Sequence, residues 1–260
     1  MLEENKVKNR PRRRRNVLSW VLICLGGAGL VVAVVMLART GREYIVAGGE
    51  YDALRAGYVT SAPAVASGGT PAPQQPATVD LAALQALNPD CVAWLELPGT
   101  GIEYPVLQAA DNDYYLDHTF ERTPNRAGAI FMDWRSTAAF TDGHTLVYGH
   151  NMLDGSMFSS LEGYLDPAFL EAHPALYVHL DGEVLAWQVV LARQVPGDDP
   201  LYGMVGGADG TALAEALIAR LGEDLGPRTG EDRFLTLSTC TSSGDDEVRN
   251  IVVAVYTGTE

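Results

Sequence analysis

The sequence predicts a mostly β domain, a sandwich or closed barrel, preceded by one membrane-spanning helix. Three observations predict it. Eight short apolar segments are separated by turns bearing Gly, Asp and Pro. Only two stretches in the domain, opening near residues 81 and 211, carry apolar residues at helical spacing. An uncharged run of 22 residues, 17–38, stands near the N-terminus. Apolar residues make up 47% and charged residues 20% of the 260, which excludes wholesale disorder. Three cysteines exclude a disulfide scaffold.

Residues 1–16 form a basic tail, with Arg12 to Arg15 in one run. As a helix, residues 17–38 span roughly 33 Å at ~1.5 Å per residue, enough for a bilayer core of ~30 Å. A secretory apolar region is shorter, ~7–15 residues, and ends in an A-x-A site. Here the exit reads Ala38-Arg39-Thr40-Gly41, so an uncleaved anchor is expected rather than a signal peptide. The basic run lies on its N-terminal side. The positive-inside rule then puts residues 1–16 in the cytoplasm and everything after the single span outside the cell membrane. Cys24 lies in the helix and is expected to be inert. Residues 39–79 read as a stalk, because 61–78 are rich in Pro, Ala, Gly and Ser and lack the apolar surface to fold.

The folded domain is expected over 80–260. Asp80 can N-cap a short helix bearing Leu81, Leu84 and Leu87, which Asn88-Pro89 ends. Strands are expected at 92–97, 104–107, 129–132, 144–148, 175–179, 184–195, 234–239 and 249–256, with short helical pieces at 158–164 and 167–171. A longer helix is expected at 211–221, where Leu213, Leu217, Ile218 and Leu221 share a face and Gly222 follows.

Charge narrows the function. The formal net charge is −15, but residues 1–38 carry +5, so the remainder carries −20. A domain that acidic is unsuited to nucleic acid, which needs cations to displace counterions. No His/Cys cluster has metal-ligand spacing, and Asp245-Asp246-Glu247 reads as a solvated loop, so neither metal nor cofactor is expected.

The chemistry concentrates on the last two strands. Residues 234–240 alternate, with Leu235 and Leu237 on one face and Thr236, Ser238 and Cys240 on the other. A polar loop leads to the strand opening at Arg249. A simple hairpin sets Cys240 opposite Arg249, with Cβ atoms ~4.5–5.5 Å apart. A guanidinium favours thiolate and can donate to an oxyanion. Of five histidines, His150 ends a strand-like run, Thr145-Leu146-Val147-Tyr148-Gly149-His150, at the edge of a polar loop. His173 and His179, the latter in an expected edge strand, read as surface residues. Other readings stay open here. Cys240 could be a small buried hydrophobe or could pair with Cys91 in a disulfide, which an extracytoplasmic site permits; Cys91 reads more simply as packed inside.

Thr236-Leu237-Ser238-Thr239-Cys240 followed by Arg249, with Tyr148-Gly149-His150-Asn151 upstream, resembles the active-site motifs of sortases, cysteine transpeptidases of Gram-positive bacteria. Asn88-Pro89-Asp90-Cys91-Val92-Ala93-Trp94-Leu95, Gly99 to Gln108 and Asp111 to Leu116 are similar to stretches of class B sortases, although Ala93 stands where glycine is common. The resemblance covers about 80–260. It implies an eight-stranded β-barrel with an N-terminal helix and a helix inserted before the penultimate strand. It implies cleavage of a C-terminal sorting signal on secreted proteins through a thioacyl enzyme, and joining to an amine of the cell wall or of a pilin. Cys240 would be the nucleophile, His150 the acid and base, and Arg249 the oxyanion holder. By motif position, Asn112, Leu116, Tyr148 and Ser238 would line the substrate groove. The rival readings are another extracytoplasmic Cys-His thiol hydrolase, and a non-catalytic anchored β-domain for binding. Thiol hydrolases commonly place cysteine before histidine, whereas here His150 precedes Cys240.

Overall fold

The computed structural model describes residues 13–60, 75–207, 232–241 and 247–260, with isolated positions between 211 and 219. Helix α1 spans Arg13–Tyr58, and the chain divides into two compact units, Met1–Ile45 and Val46–Glu260. In the first unit the apolar side chains from Trp20 to Leu37 are exposed. Among the described residues one helix is long and apolar enough to cross a membrane.

The second unit opens with two short strands, β1 Val59–Thr60 and β2 Thr78–Val79, which pair with each other. Eight more form its body: β3 Cys91–Leu97, β4 Ile102–Leu107, β5 Ile130–Met132, β6 His144–Tyr148, β7 Ala175–Leu180, β8 Glu183–Pro196, β9 Phe234–Cys240 and β10 Val248–Thr259. Each of these eight coincides with one expected from the sequence. They close into a barrel in the order β10-β8-β7-β3-β4-β5-β6-β9. Closure leaves no edge strand, so backbone donors and acceptors are paired around the ring. Six of the eight joins are antiparallel, while β4–β5 and β6–β9 are parallel. A parallel join needs a long crossover, and those crossovers supply the loops around the site. Helix α2, Leu81–Leu87, is capped by Asp80, whose carboxylate accepts from the Ala83 N–H, and buries Leu81 and Leu84. Short helices follow at Ser159–Leu165 and α3, Pro167–Ala172. The helix expected at 211–221 lies largely outside the described residues.

Two expectations need correction. The stalk reading of 39–79 does not hold throughout. Ala47, Tyr51 and Leu54 on the last turns of α1 are buried. Tyr51 donates to Gly128 O at 2.8 Å and packs edge-on against Tyr104, over which Arg55 also lies. Because β1 pairs with β2, the Pro-rich stretch departs from and returns to one small sheet. Composition suggests a tether because it averages over the Tyr51/Leu54 stripe. Second, His179 is buried, 2% exposed, and bonds Glu96 Oε2 at 2.8 Å. Strand β7 is flanked on both sides by β3 and β8, and an edge is what would have put His179 in water. The same Glu96 oxygen accepts from the Ala77 N–H.

Candidate active site

Parallel pairing of β6 with β9 decides which residues meet. In that register Tyr148 pairs with Ser238, so the next two residues on each chain, ending at His150 and Cys240, leave the barrel side by side. Gly149 N–H donates to Ser238 O at 3.2 Å and prolongs the pairing. A Cβ at Gly149 would collide with the Ile130 and Phe158 side chains, so glycine allows their close packing beneath the turn. On the other side of β9, Cys240 pairs with Arg249 of β10, the hairpin register expected from the sequence. Arg249 pairs in turn with Val195 of β8.

The face of β9 and β10 that bears the chemistry continues into an apolar cluster. Phe234, Ile251 and Val253 pack there with Leu191, Val195 and Leu201. Leu201 comes from a short helix, Pro200–Gly203, capped by Asp199. That packing anchors the loop after β8 and brings Tyr202 over the strand, where its hydroxyl lies 2.9 Å from Ser238 Oγ. Burial raises the Tyr202 phenol; the Arg249 charge works against that shift and the neighbouring Cys240 adds to it.

His150 is fixed from two directions. Its Nε2 lies 2.7 Å from Leu116 O. A carbonyl only accepts, so Nε2 carries the proton in this arrangement, and Nδ1 is the open nitrogen of the neutral ring. The next residue, Asn151, donates to Cys240 O at 3.2 Å, which ties the histidine turn to the cysteine strand. All seven residues singled out in the sequence line one groove of about 350 Å³: Asn112, Leu116, Tyr148, His150, Ser238, Cys240 and Arg249.

Sequence reasoning missed several members. Phe131, Gly197, Tyr202 and Thr239 also line the groove. Asp133 stands behind it, fully buried, accepting from Asn112, Tyr148 and Arg135. Burial would raise its carboxyl, but those hydrogen bonds outweigh it and hold the pKa at about 2. An acid directly after the apolar run Ile130-Phe131-Met132, with Arg135 two residues on, was the signal for it. Tyr202 left no such signal, since only the fold brings its loop to β9. His144 is buried, bonded to Thr236 Oγ1 at 2.9 Å, and neutral, its pKa pulled down to about 4 mainly by burial. All three cysteines are free, so the Cys91–Cys240 disulfide is not formed. Cys91 is buried, and burial pushes its thiol up to about 12. Among the described residues no group of three His, Cys, Asp or Glu could hold a metal.

A thiol in register with a guanidinium, a histidine at the same barrel end and an open groove make a site for acyl transfer through sulfur. Comparison with known proteins gives the class its family. The sortase domain model matches residues 95–257, and the chain belongs to the sortase family, whose members are cysteine transpeptidases. Within it the particular likeness is to sortase B. The chain is 37% identical over 179 residues to sortase B of Listeria monocytogenes, covering 67% of this chain and 72% of that protein. It is 33% identical over 174 residues to sortase B of Staphylococcus aureus, covering 65% and 71%. Among solved structures, the S. aureus sortase B–substrate complex matches with a TM-score of 0.61 at 30% identity, covering 68% of this chain and 84% of that one. Clostridium perfringens sortase B matches with a TM-score of 0.60 at 27% identity, covering 68% and 98%.

Proposed function

We propose that this chain is a membrane-anchored sortase that cuts a C-terminal sorting signal and joins the new carboxyl end to an amine. The observation that carries the reading is the pairing of Cys240 with Arg249 across β9–β10, in the groove that His150 also lines. In the first half-reaction the Cys240 thiol passes its proton to His150 as its sulfur attacks the scissile carbonyl carbon. The guanidinium of Arg249 donates to the oxygen as it gains charge. The C–N bond breaks, His150 gives the leaving amine its proton, and a thioacyl enzyme remains. In the second half, an incoming amine attacks the thioester, His150 takes its proton, and the sulfur leaves. Asn112, Leu116, Tyr148 and Ser238 hold the sorting signal along the groove.

The helix at 17–38 anchors the enzyme by a single pass, with residues 1–16 in the cytoplasm and the barrel outside, as the Arg12 to Arg15 run favours. Secreted proteins would then meet the groove as they emerge. The acceptor is an amine of a peptidoglycan precursor or of a pilin. A complex of sortase B with triglycine among the similar structures makes that tripeptide a rational amine probe.

The test is a transfer assay. A quenched fluorogenic peptide library carrying Pro-Thr-type sorting motifs is incubated with the protein, with and without triglycine. The reading expects cleavage, a ligated peptide–triglycine product, and neither with Cys240→Ala. Cleavage that persists in Cys240→Ala, or no cleavage of any library member by the wild type, overturns it.

A further inference from the structure

We propose that Asp133 is the positioning residue of the substrate groove, holding Asn112 and Tyr148 directly and the neighbouring Tyr202 loop through Arg135. The inference rests on the groove being the sorting-signal site.

Asp133 follows β5 and is 0% exposed. Its Oδ2 accepts from Asn112 Nδ2 at 2.9 Å, from the Tyr148 hydroxyl at 3.0 Å and from Arg135 Nη2 at 2.8 Å. Its Oδ1 accepts from Arg135 Nε at 2.8 Å and from the Arg135 backbone N–H at 3.0 Å. A carboxylate offers about four lone-pair sites, so these five bonds fill both oxygens. It is therefore an internal anchor with nothing left to offer a substrate.

What it controls is the polarity of the groove wall. Asn112 Oδ1 accepts from the Trp134 N–H at 3.0 Å, while one amide N–H goes to Asp133. The amide is thus locked in one of its two flips, and its second N–H remains to donate to a peptide carbonyl. Without the acceptor at Asp133, a flip would exchange that donor for an acceptor. Tyr148 is fixed likewise: its proton is committed to Asp133, so its oxygen faces other groups only as an acceptor. Arg135 Nη2 also donates to Tyr202 O at 2.8 Å, the Tyr202 ring stacks beside that of Tyr148 with centroids 6.4 Å apart, and the Tyr202 hydroxyl meets Ser238 Oγ. One buried charge therefore sets Asn112, Tyr148 and the Tyr202 loop relative to one another. Ionisation persists throughout the neutral range, since the carboxyl titrates at about 2.

The experiment measures KM and kcat for the best-cleaved library peptide, with the rate of Cys240 alkylation by iodoacetamide. Asp133→Asn keeps the shape but cannot accept all these bonds. Losing hydrogen bonds to a charged group predicts a KM rise of about 10-fold or more, with kcat and alkylation close to wild type. A purely structural role would lower the folded fraction, reducing kcat, opening buried Cys91 to alkylation and leaving KM unmoved; that result overturns the proposal. Should Asp133→Asn fail to fold, Arg135→Gln carries the test, because Arg135 is 35% exposed and outside the groove lining. It should raise KM with alkylation unchanged, and an unmoved KM overturns the proposal. Wild type that cleaves while neither variant shifts KM defeats this inference alone. Wild type that cleaves nothing defeats the sorting-signal reading and this inference with it.

Discussion

Cys240 and Cys91 are the same side chain in opposite surroundings. Cys91 is buried, donates to Ala93 O, and has its thiol pushed up to about 12. Cys240 is partly exposed at a strand end, in register with a guanidinium. Native protein should therefore alkylate at Cys240 and not at Cys91, and Cys91→Ala should keep transfer activity while losing stability through the small void it leaves. Peptide mapping after iodoacetamide treatment checks the first part; labelling at Cys91 in the folded protein would contradict it. Arg249 is tested by Arg249→Lys. A guanidinium presents several donors in one plane, whereas an ammonium is a flexible point charge. If Arg249 holds the oxyanion, the lysine variant should still alkylate at Cys240 but lose transfer by ~10²–10³-fold. Near-normal transfer would remove the oxyanion role. Cys240, Arg249 and His150 were legible because chemistry-bearing residues stood at strand ends next to recognisable motifs. Asp133 was legible only as an acid between an apolar run and Arg135, a signal that does not name the Asn112 and Tyr148 side chains that also converge on it.

Among the elements, all eight barrel strands were legible. Each is a short apolar run bounded by turn residues, and the hairpin register of β9 and β10 followed from the loop between them. The parallel β4–β5 and β6–β9 joins were not legible, since local pattern carries no information about which distant strands pair. Those joins are what deliver His150 to Cys240. The C-terminal part of α1 was misread in the other direction: Tyr51 and Leu54 are spaced by three, enough for a buried stripe but hidden beside a Pro-rich stretch. This predicts different stabilities for two soluble fragments. One starting at Val46 keeps Tyr51, Leu54 and the β1–β2 pair; one starting at Asp80 loses them. At about 2 kcal/mol for each large buried side chain, and about 2–4 °C per kcal/mol for a domain of this size, the shorter fragment should melt roughly 8–16 °C lower. Equal melting temperatures would mean that these contacts contribute nothing to the fold.

For the whole molecule, burial of a neutral histidine couples stability to pH. His144, whose Nδ1 lies 3.2 Å from Met204 O, has a pKa of about 4, against an ordinary value of 6.5. The unfolded chain takes up its proton as pH falls through about 6.5, while the folded chain resists until about 4. The unfolded state binds more protons across that window, so stability falls as pH drops through it and levels off below. The shift corresponds to something on the order of 3 kcal/mol. Asp133 acts lower: its stabilisation is complete above about 3.8 and is lost as pH falls through about 2. Thermal unfolding between pH 7 and 4.5 should therefore show a steeper loss in wild type than in His144→Gln; parallel curves would exclude His144 as the source.

Transfer through sulfur requires one covalent species, the Cys240 thioester. Intact-protein mass spectrometry of wild type mixed with a cleavable sorting peptide and quenched in acid reads it directly. Wild type should show an adduct equal to the N-terminal peptide fragment as an acyl group, mapped to Cys240, which disappears on adding triglycine as the ligated product appears. Peptide cleavage with no adduct at any quench time, or an adduct that survives in Cys240→Ala, would contradict transfer through the Cys240 sulfur.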